Sequence, residues 1–159
     1  MRAVCRRANL TDRYFYESFA SRDELVDVLY RQVADEFLEP MTAFATDDRA
    51  HDRELSRILV DKVLADPRKS RLFLVEPYSS TGLGQSTIAV LPVFTRLMQD
   101  HLFADIEDPV RRRLAAVTMA SGNAGMFSAW LNGSLPATRA QIIDHCTATI
   151  AVYRTLYRA

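Results

Sequence analysis

Apolar residues recur along most of the chain at intervals of three and four, which places them on one face of an α-helix. Strand-like alternation of apolar and polar residues is nearly absent. The pattern predicts helices over about 2–8, 11–19, 21–40, 52–65, 69–76, 88–102, 109–132 and 138–157. We therefore expect an all-α fold.

Capping residues and prolines indicate where several helices begin and end. Four starts carry a capping signal, at Thr11, at Ser21 with Glu24, at Asp108 with Pro109, and at Thr138 with Gln141. The third helix has an apolar stripe made of Leu25, Val28, Leu29, Val33 and Phe37. Pro40 is expected to kink or end that helix, and Asp66-Pro67 to end the fourth. A polar connector is expected over 47–51.

The composition fits a single domain without disulfides. The chain has 159 residues, of which 48% are hydrophobic, enough to bury a core. Cys5 and Cys146 fit no metal or redox spacing, which favours reduced thiols in a cytoplasmic protein. The longest uncharged run, 114–138, contains serine, asparagine and glycine, so a buried helix accounts for it better than a membrane span.

Charge is distributed unevenly although the formal net charge is zero. Up to Arg22 there are five arginines against two acids, whereas 23–48 contains eight acids and one arginine. The net charge of zero gives no global sign of a polyanion partner, but a basic tip joined to an acidic segment is a clear asymmetry. Taken alone, the pattern favours a helix with a solvated acidic face.

The first 25 residues have the organisation of a helix-turn-helix unit. Two short helices are joined by a tight turn at Asn9 and Leu10, and a capped long helix follows. In such units the first turn of the second helix approaches base edges in the major groove. Phe15 and Phe19 are expected to pack inward. Tyr14 and Tyr16 could instead contact the duplex, or could simply cover the small core.

The stretch "RAVCRRANLTDRYFYESFASRDEL" resembles the end of the DNA-binding unit of TetR-type transcriptional repressors. The usual pattern there is I-A-x-x-A-G-V-S-x-x-x-L-Y-x-H-F-x-S-K-E-x-L. Order and spacing match throughout, at Val4, Cys5, Ala8, Leu10, Thr11, Phe15, Tyr16, Phe19, Ser21, Arg22, Asp23 and Leu25. The departures are Asn9, where glycine is usual, and Ser18, where histidine is common.

The resemblance implies a function and roles for particular residues. A helix-turn-helix head (residues 1–24) would precede a ligand-binding and dimerisation body (residues 25–159). Thr11, Arg13 and Tyr14 would contact bases or sugar-phosphate, and Tyr16 and Arg22 would hold phosphates. The protein would be a homodimeric repressor, paired through its last two helices on palindromic double-stranded operator DNA. A small-molecule effector would release it from that DNA.

Family members have one more helix before the residues matched here, so the head is predicted to be incomplete. A start site assigned too far downstream, a shortened chain and a remnant are the three explanations. With so little core, the head is expected to be less ordered than the body. The alternative function is a dimeric, all-helical ligand-binding protein that does not bind DNA.

An effector pocket in the body should be mostly apolar with a few polar groups. The candidates, taken from apolar stripes, are Leu59, Val63, Phe73, Tyr78, Phe94, Met98, Met119, Asn123, Met126, Phe127 and Trp130. Each could equally be ordinary core. Asn123 stands out because it lies in the middle of an apolar helix, and a buried amide needs hydrogen-bond partners.

Patterns typical of enzymes are missing, so we expect no catalytic residues, no cofactor and no metal. The three histidines are scattered, and the adjacent His145 and Cys146 would point to different helix faces. The segment "GLGQST" beginning at Gly82 lacks the third glycine and the preceding strand of a nucleotide-binding fingerprint.

Overall fold

A computed structural model describes residues 2–43, 49–76 and 84–157. These residues form eight α-helices and no β-strand, which confirms the predicted all-α fold. In chain order the helices are α1 (Arg2–Arg7), α2 (Asp12–Ser18), α3 (Arg22–Ala43), α4 (Arg49–Ala65), α5 (Pro67–Leu74), α6 (Gly84–Leu97), α7 (Pro109–Leu131) and α8 (Arg139–Tyr157). A π-helical segment, Met98–Leu102, continues α6. None of the helices in these residues is long and apolar enough to cross a membrane.

Three of the four predicted capping signals form the expected hydrogen bonds. The Ser21 hydroxyl accepts from the backbone N–H of Glu24 at 3.1 Å. The Glu24 carboxylate accepts from the backbone N–H of Ala20 at 2.6 Å. Asp108 accepts from two N–H groups in the first turn of α7, at 2.8 and 3.2 Å. The Thr138 N–H donates to the Gln141 side chain at 2.8 Å. These helix starts were therefore readable from local sequence.

The prolines inside the predicted helices do not end them. α3 continues through Pro40 to Ala43, so an end at Pro40 is wrong. Pro40 is buried, and the helix continues although the proline ring leaves one backbone hydrogen bond unmade. Residues 49–51 of the predicted polar connector belong to α4, and 47–48 lie outside the described residues.

The body has a core made of two apolar clusters. The first joins α4, the π-helical segment, α7 and α8, and contains Leu55, Met98, Leu102, Phe103, Ile106, Ala115, Ala116, Met119, Ala120 and Ile150. The second joins α3, α4, α5, α7 and α8, and contains Val33, Phe37, Val60, Val63, Leu74, Phe127, Ile142, Ile143 and Cys146. Phe94 on α6 packs against both clusters. The body is thus one continuous helical packing unit.

The inward face of α3 differs from the predicted stripe. Its buried apolar residues are Tyr30, Val33, Ala34 and Phe37, a spacing of three and four that defines one helix face. Val28 and Leu29 are exposed, so their assignment to an inward stripe is wrong. No described residue of α3 before Tyr30 is buried, so the first two turns of α3 extend past the body towards the head.

A buried ion pair connects α4, α8 and the π-helical segment. Arg154 Nη1 lies 2.5 Å from Asp52 Oδ2, and both side chains are 8% exposed. Arg154 Nε donates to the backbone carbonyl of Leu102 at 2.7 Å, and a carboxylate oxygen of Asp105 is 3.9 Å away. The arginine therefore fixes the end of α8 to two other elements. Sequence reasoning missed this pair because its members are 102 positions apart.

Candidate functional site

The turn between α1 and α2 is built around one left-handed residue. Asn9 has φ 55°, the conformation that glycine and asparagine tolerate best. The N–H of Leu10 donates back to the carbonyl of Cys5 at 2.8 Å, which closes the end of α1. Thr11 then adopts an extended backbone at the start of α2, but its side chain makes no capping hydrogen bond. The expected side-chain cap at Thr11 is therefore wrong, and that residue is exposed.

The aromatics of α2 divide into inward and outward groups. Phe15 is buried and packs on Phe19, with ring centroids 5.6 Å apart. Tyr14 and Tyr16 are 58% and 62% exposed, although the Tyr16 ring meets Phe15 edge-on at 5.2 Å. Residues two apart on a helix point to nearly opposite sides. The two tyrosines therefore face different surroundings and cannot serve one flat contact surface.

The charged candidates of the head also lie on its surface. The guanidinium of Arg13 lies 2.7 Å from the Glu17 carboxylate one turn later, with side chains 85% and 50% exposed. Arg22 is exposed at the first position of α3. An exposed i,i+4 ion pair is worth only about 0.3–0.5 kcal/mol. Arg13 can therefore exchange Glu17 for another anion at little cost.

The body contains a cavity of about 130 Å³ between the two core clusters. Seven of the predicted pocket residues line it, namely Leu59, Val63, Phe73, Phe94, Met98, Asn123 and Phe127. Eight lining residues were not predicted, namely Tyr30, Phe37, Leu74, Val90, Leu91, Ala120, Ser121 and Ala124. Phe37 could have been found, since it lies on the apolar stripe of α3. Tyr30 belongs to the α3 face that the sequence reading missed.

The other predicted pocket residues lie elsewhere. Met119 is buried in the first core cluster and Met126 packs against the second, neither of them at the cavity. The indole N–H of Trp130 donates to the carbonyl of Ala137 at 2.7 Å, which holds the turn between α7 and α8. Tyr78 lies outside the described residues. These three described side chains are thus structural in this arrangement.

One phenylalanine organises the aromatic wall of the cavity. Phe73, on the short helix α5, stacks on Phe37 with centroids 4.9 Å apart and an interplanar angle of 18°. It also meets Tyr30 at 5.5 Å and Phe94 at 5.8 Å. Aromatic pairs in such geometries stabilise the fold beyond the effect of burying their apolar surface. Phe73 thereby ties α3 and α6 together across the cavity.

Polar groups at the cavity are few. Asn123 is half-buried on α7, and its carboxamide makes no hydrogen bond to a protein group. Since no buried side-chain N or O among the described residues lacks a partner, the amide is accessible to solvent or to a ligand. Ser121 and Tyr30 supply the other side-chain polar atoms, and none of the described lining residues carries a charge. The described lining is therefore apolar apart from a few polar groups, of which the Asn123 amide is free to bond a ligand.

The last two helices each present apolar residues to solvent. Val110, Leu114 and Val117 on α7, and Val152 and Leu156 on α8, are between 39% and 65% exposed. α7 continues with two glycines, Gly122 and Gly125, at which an added Cβ would meet nothing within 4 Å. The packing of this chain therefore does not require glycine at either position.

The described residues offer little for metal or nucleophilic chemistry. They contain no group of three His, Cys, Asp or Glu side chains placed to hold a metal ion. Both cysteines are buried, and neither is in a disulfide. Burial raises the pKa of the Cys146 thiol to about 11, so this sulfur stays protonated at neutral pH and behaves as a small core residue.

No known protein identifies the function of this chain by similarity of sequence. The sequence matches no protein-family model and no curated protein. The exposed polar side chains of the head, the cavity in the body and the apolar surface of the last two helices are therefore the features on which a functional argument rests.

Proposed function

We propose that this protein is a DNA-binding transcriptional regulator of the TetR type, a homodimeric repressor released from its operator by a small molecule. The observation that carries the proposal is the arrangement of the head. A short helix, a left-handed turn at Asn9 and a second short helix are joined to the long capped helix α3. Phe15 is buried inside this unit, while Arg13 and Tyr14 point to solvent.

In this proposal the first turn of α2 reads the DNA. The N-terminal residues of the second helix of a helix-turn-helix approach base edges, and here those positions hold Thr11, Arg13 and Tyr14. Arg13 is the best candidate for a base contact because a guanidinium can donate two hydrogen bonds to guanine. Its exposed pair with Glu17 costs little to open.

Tyr16 and Arg22 would hold the phosphate backbone. Tyr16 faces away from Tyr14 on α2, which suits contact with a strand beside the groove. Arg22 begins α3, so a phosphate held there would fix the angle between the long helix and the duplex. Such contacts give orientation and salt-dependent affinity without sequence preference.

The exposed apolar residues of α7 and α8 support a homodimer. Two copies related by a two-fold axis would bury Leu114 and Leu156 against each other's helices in an isologous interface. Gly122 and Gly125 would let the backbones of paired α7 helices approach closely, which explains glycines that the single chain does not need. Each dimer would present two heads to the two half-sites of a palindrome.

Helix α3 provides a physical route from the cavity to the head. Tyr30 and Phe37 line the cavity, and the same helix begins at Arg22. Eight residues of helix separate Arg22 from Tyr30, a distance of about 12 Å. A ligand that binds better when Tyr30 or Phe37 is displaced would favour a tilted α3. Release of DNA then follows from the different affinities of the ligand for the two positions of α3.

One observation favours the alternative, a dimeric helical ligand-binding protein that does not bind DNA. In the described part of the head only Cys5 and Phe15 are buried, a small core for a unit that must hold a recognition helix. Under this alternative the cavity and the dimer keep their roles, and changes to Arg13 or Arg22 have no consequence for function.

Two arginine variants with a matched control test the proposal. Arg13→Ala should weaken binding to the cognate operator and relax base preference at one position, by about 1–3 kcal/mol. Arg22→Ala should weaken binding evenly across sequences and reduce the slope of log K against log salt by about 1. Arg96→Ala is the control, since Arg96 lies in the body on α6 and is 85% exposed, as Arg13 is. If both head variants bind DNA as Arg96→Ala does, the assignments are wrong.

A further inference from the structure

The chemistry of the cavity restricts what it can bind. The fifteen described lining residues are all uncharged, and most are apolar. An ionic group placed in such a space would lose its hydration without gaining a partner, a cost of several kcal/mol in general. Charged ligands are therefore disfavoured.

The size of the cavity restricts the ligand further. An apolar protein cavity of about 150 Å³ can hold one benzene molecule, and the volume here is about 130 Å³. A single six-membered ring is therefore about the size limit of the enclosed volume. A small substituent can extend outward because the lining residues Leu91 and Ser121 are exposed, whereas a fused polycyclic molecule would need the walls to move.

The walls favour an aromatic ring over a saturated one. Four aromatic side chains line the space, and the ring centroid of Phe73 lies 4.9–5.8 Å from those of Tyr30, Phe37 and Phe94. An added ring can continue this cluster in an offset or edge-on geometry. A saturated ring of equal size would gain the apolar contact but not the interaction between aromatic quadrupoles.

The geometry points to a neutral, single-ring aromatic ligand whose one hydrogen-bonding group pairs with the carboxamide of Asn123. Only the effect of the ligand on DNA binding rests on the proposed function. Whether the ligand binds the cavity can be tested without DNA. Among the described lining residues, no protein group hydrogen-bonds the side chains of Asn123 and Ser121. Ser121 is exposed to solvent whereas Asn123 is half-buried, so Asn123 is the group that a ligand inside the cavity meets. A ligand hydroxyl can donate to its oxygen or accept from its N–H₂.

Four small probes separate the parts of the inference. p-Cresol is neutral at pH 7, aromatic and carries one hydroxyl. p-Xylene lacks the hydroxyl, 4-methylcyclohexanol lacks the aromatic ring, and p-toluate carries a carboxylate that is ionised at pH 7. Binding is read from the methyl NMR signals of methionine in the full chain without DNA. Met98 lines the cavity, whereas Met119 and Met126 do not and serve as internal references.

We expect p-cresol to shift the Met98 signal and to leave the two reference signals in place. Its Kd should be about two- to tenfold lower than that of p-xylene, as one added hydrogen bond allows, and lower than that of 4-methylcyclohexanol. p-Toluate should not bind measurably. Equal or tighter binding of p-toluate would overturn the inference, and so would the absence of a Met98 shift with every probe.

The role of Asn123 is tested by Asn123→Leu, which keeps the size of the side chain and removes the amide. The variant should lose the preference for p-cresol over p-xylene and still bind p-xylene, which also shows that the cavity survives. Asn132→Leu makes the same substitution at the exposed residue that follows α7, where the side chain bonds the Ser134 N–H and does not line the cavity. It should leave both affinities unchanged. If Asn123→Leu keeps the preference for p-cresol, the assignment of this residue is wrong. Because no DNA is present, these results stand apart from a failure of operator binding.

Discussion

The buried pair of Asp52 and Arg154 allows a quantitative test of the structure. The change is Arg154→Met, which keeps the length of the side chain and removes the charge. It leaves the Asp52 carboxylate in a site that is 6% exposed and removes the donor to the Leu102 carbonyl. Removing one member of a buried ion pair typically costs about 3–5 kcal/mol, because the other charge stays buried and loses its main compensation. For a chain of this length that corresponds to a fall in melting temperature of roughly 6–20 °C.

A matched control lies between the same two helices. Arg53 on α4 and Asp144 on α8 form an ion pair at 2.6 Å, but their side chains are 62% and 59% exposed. Arg53→Met should therefore cost no more than about 1 kcal/mol. Both pairs join an arginine and an aspartate of α4 and α8 at similar distances, 2.5 and 2.6 Å. The comparison therefore reports the effect of burial together with the hydrogen bond from Arg154 to the Leu102 carbonyl.

The assay is urea unfolding followed by circular dichroism at one fixed protein concentration, because association would make the midpoint depend on concentration. The double variant Asp52→Leu with Arg154→Met should regain much of the lost stability, since neither charge then remains buried. The reasoning is refuted if Arg154→Met and Arg53→Met have the same midpoint, or if the double variant is less stable than Arg154→Met alone.

Three further predictions follow from the same structure. Amide exchange should be faster in 2–19 than in α7 and α8, because the head buries so few side chains; equal protection would contradict this. The guanidinium of Arg139 lowers the pKa of Asp61 through hydrogen bonds at 2.6 and 2.8 Å, so Arg139→Gln should be less stable than the natural chain at neutral pH. That difference should shrink as the pH falls below about 4 and Asp61 takes up a proton, and a constant difference down to pH 2 would argue against the pairing. Leu114→Glu should convert a dimer into a monomer in sedimentation at micromolar concentration, and a natural chain that is already monomeric there would rule out the dimer.

The features that the sequence predicted well are those determined within a few residues. The capping boxes at Ser21 and Thr138 form as expected because the hydroxyl, the backbone N–H groups and the reciprocal side chain all lie within one turn. The split between Phe15 and the two tyrosines likewise follows from a short helix that has one apolar side. Local rules suffice where the partners are local.

The features that it missed depend on contacts between distant segments. The inward face of α3 is set by where α4, α5 and α6 lie, which places Tyr30 rather than Val28 against the body. Which inward residues line the cavity and which fill the core depends on packing, so Met98 and Met119 could not be separated in advance. The pairing of Asp52 with Arg154 is of the same kind, since no periodicity links residues on two different helices.

The central claim is that the head binds specific DNA. The most direct measurement is fluorescence anisotropy of the full chain with labelled DNA from the region flanking its own gene, at two salt concentrations and with excess non-specific competitor DNA. The account predicts saturable binding that survives the competitor and weakens as salt rises, because phosphate contacts release counterions. Binding that the competitor abolishes, or no binding at the lower salt concentration, would contradict it and favour the ligand-binding alternative.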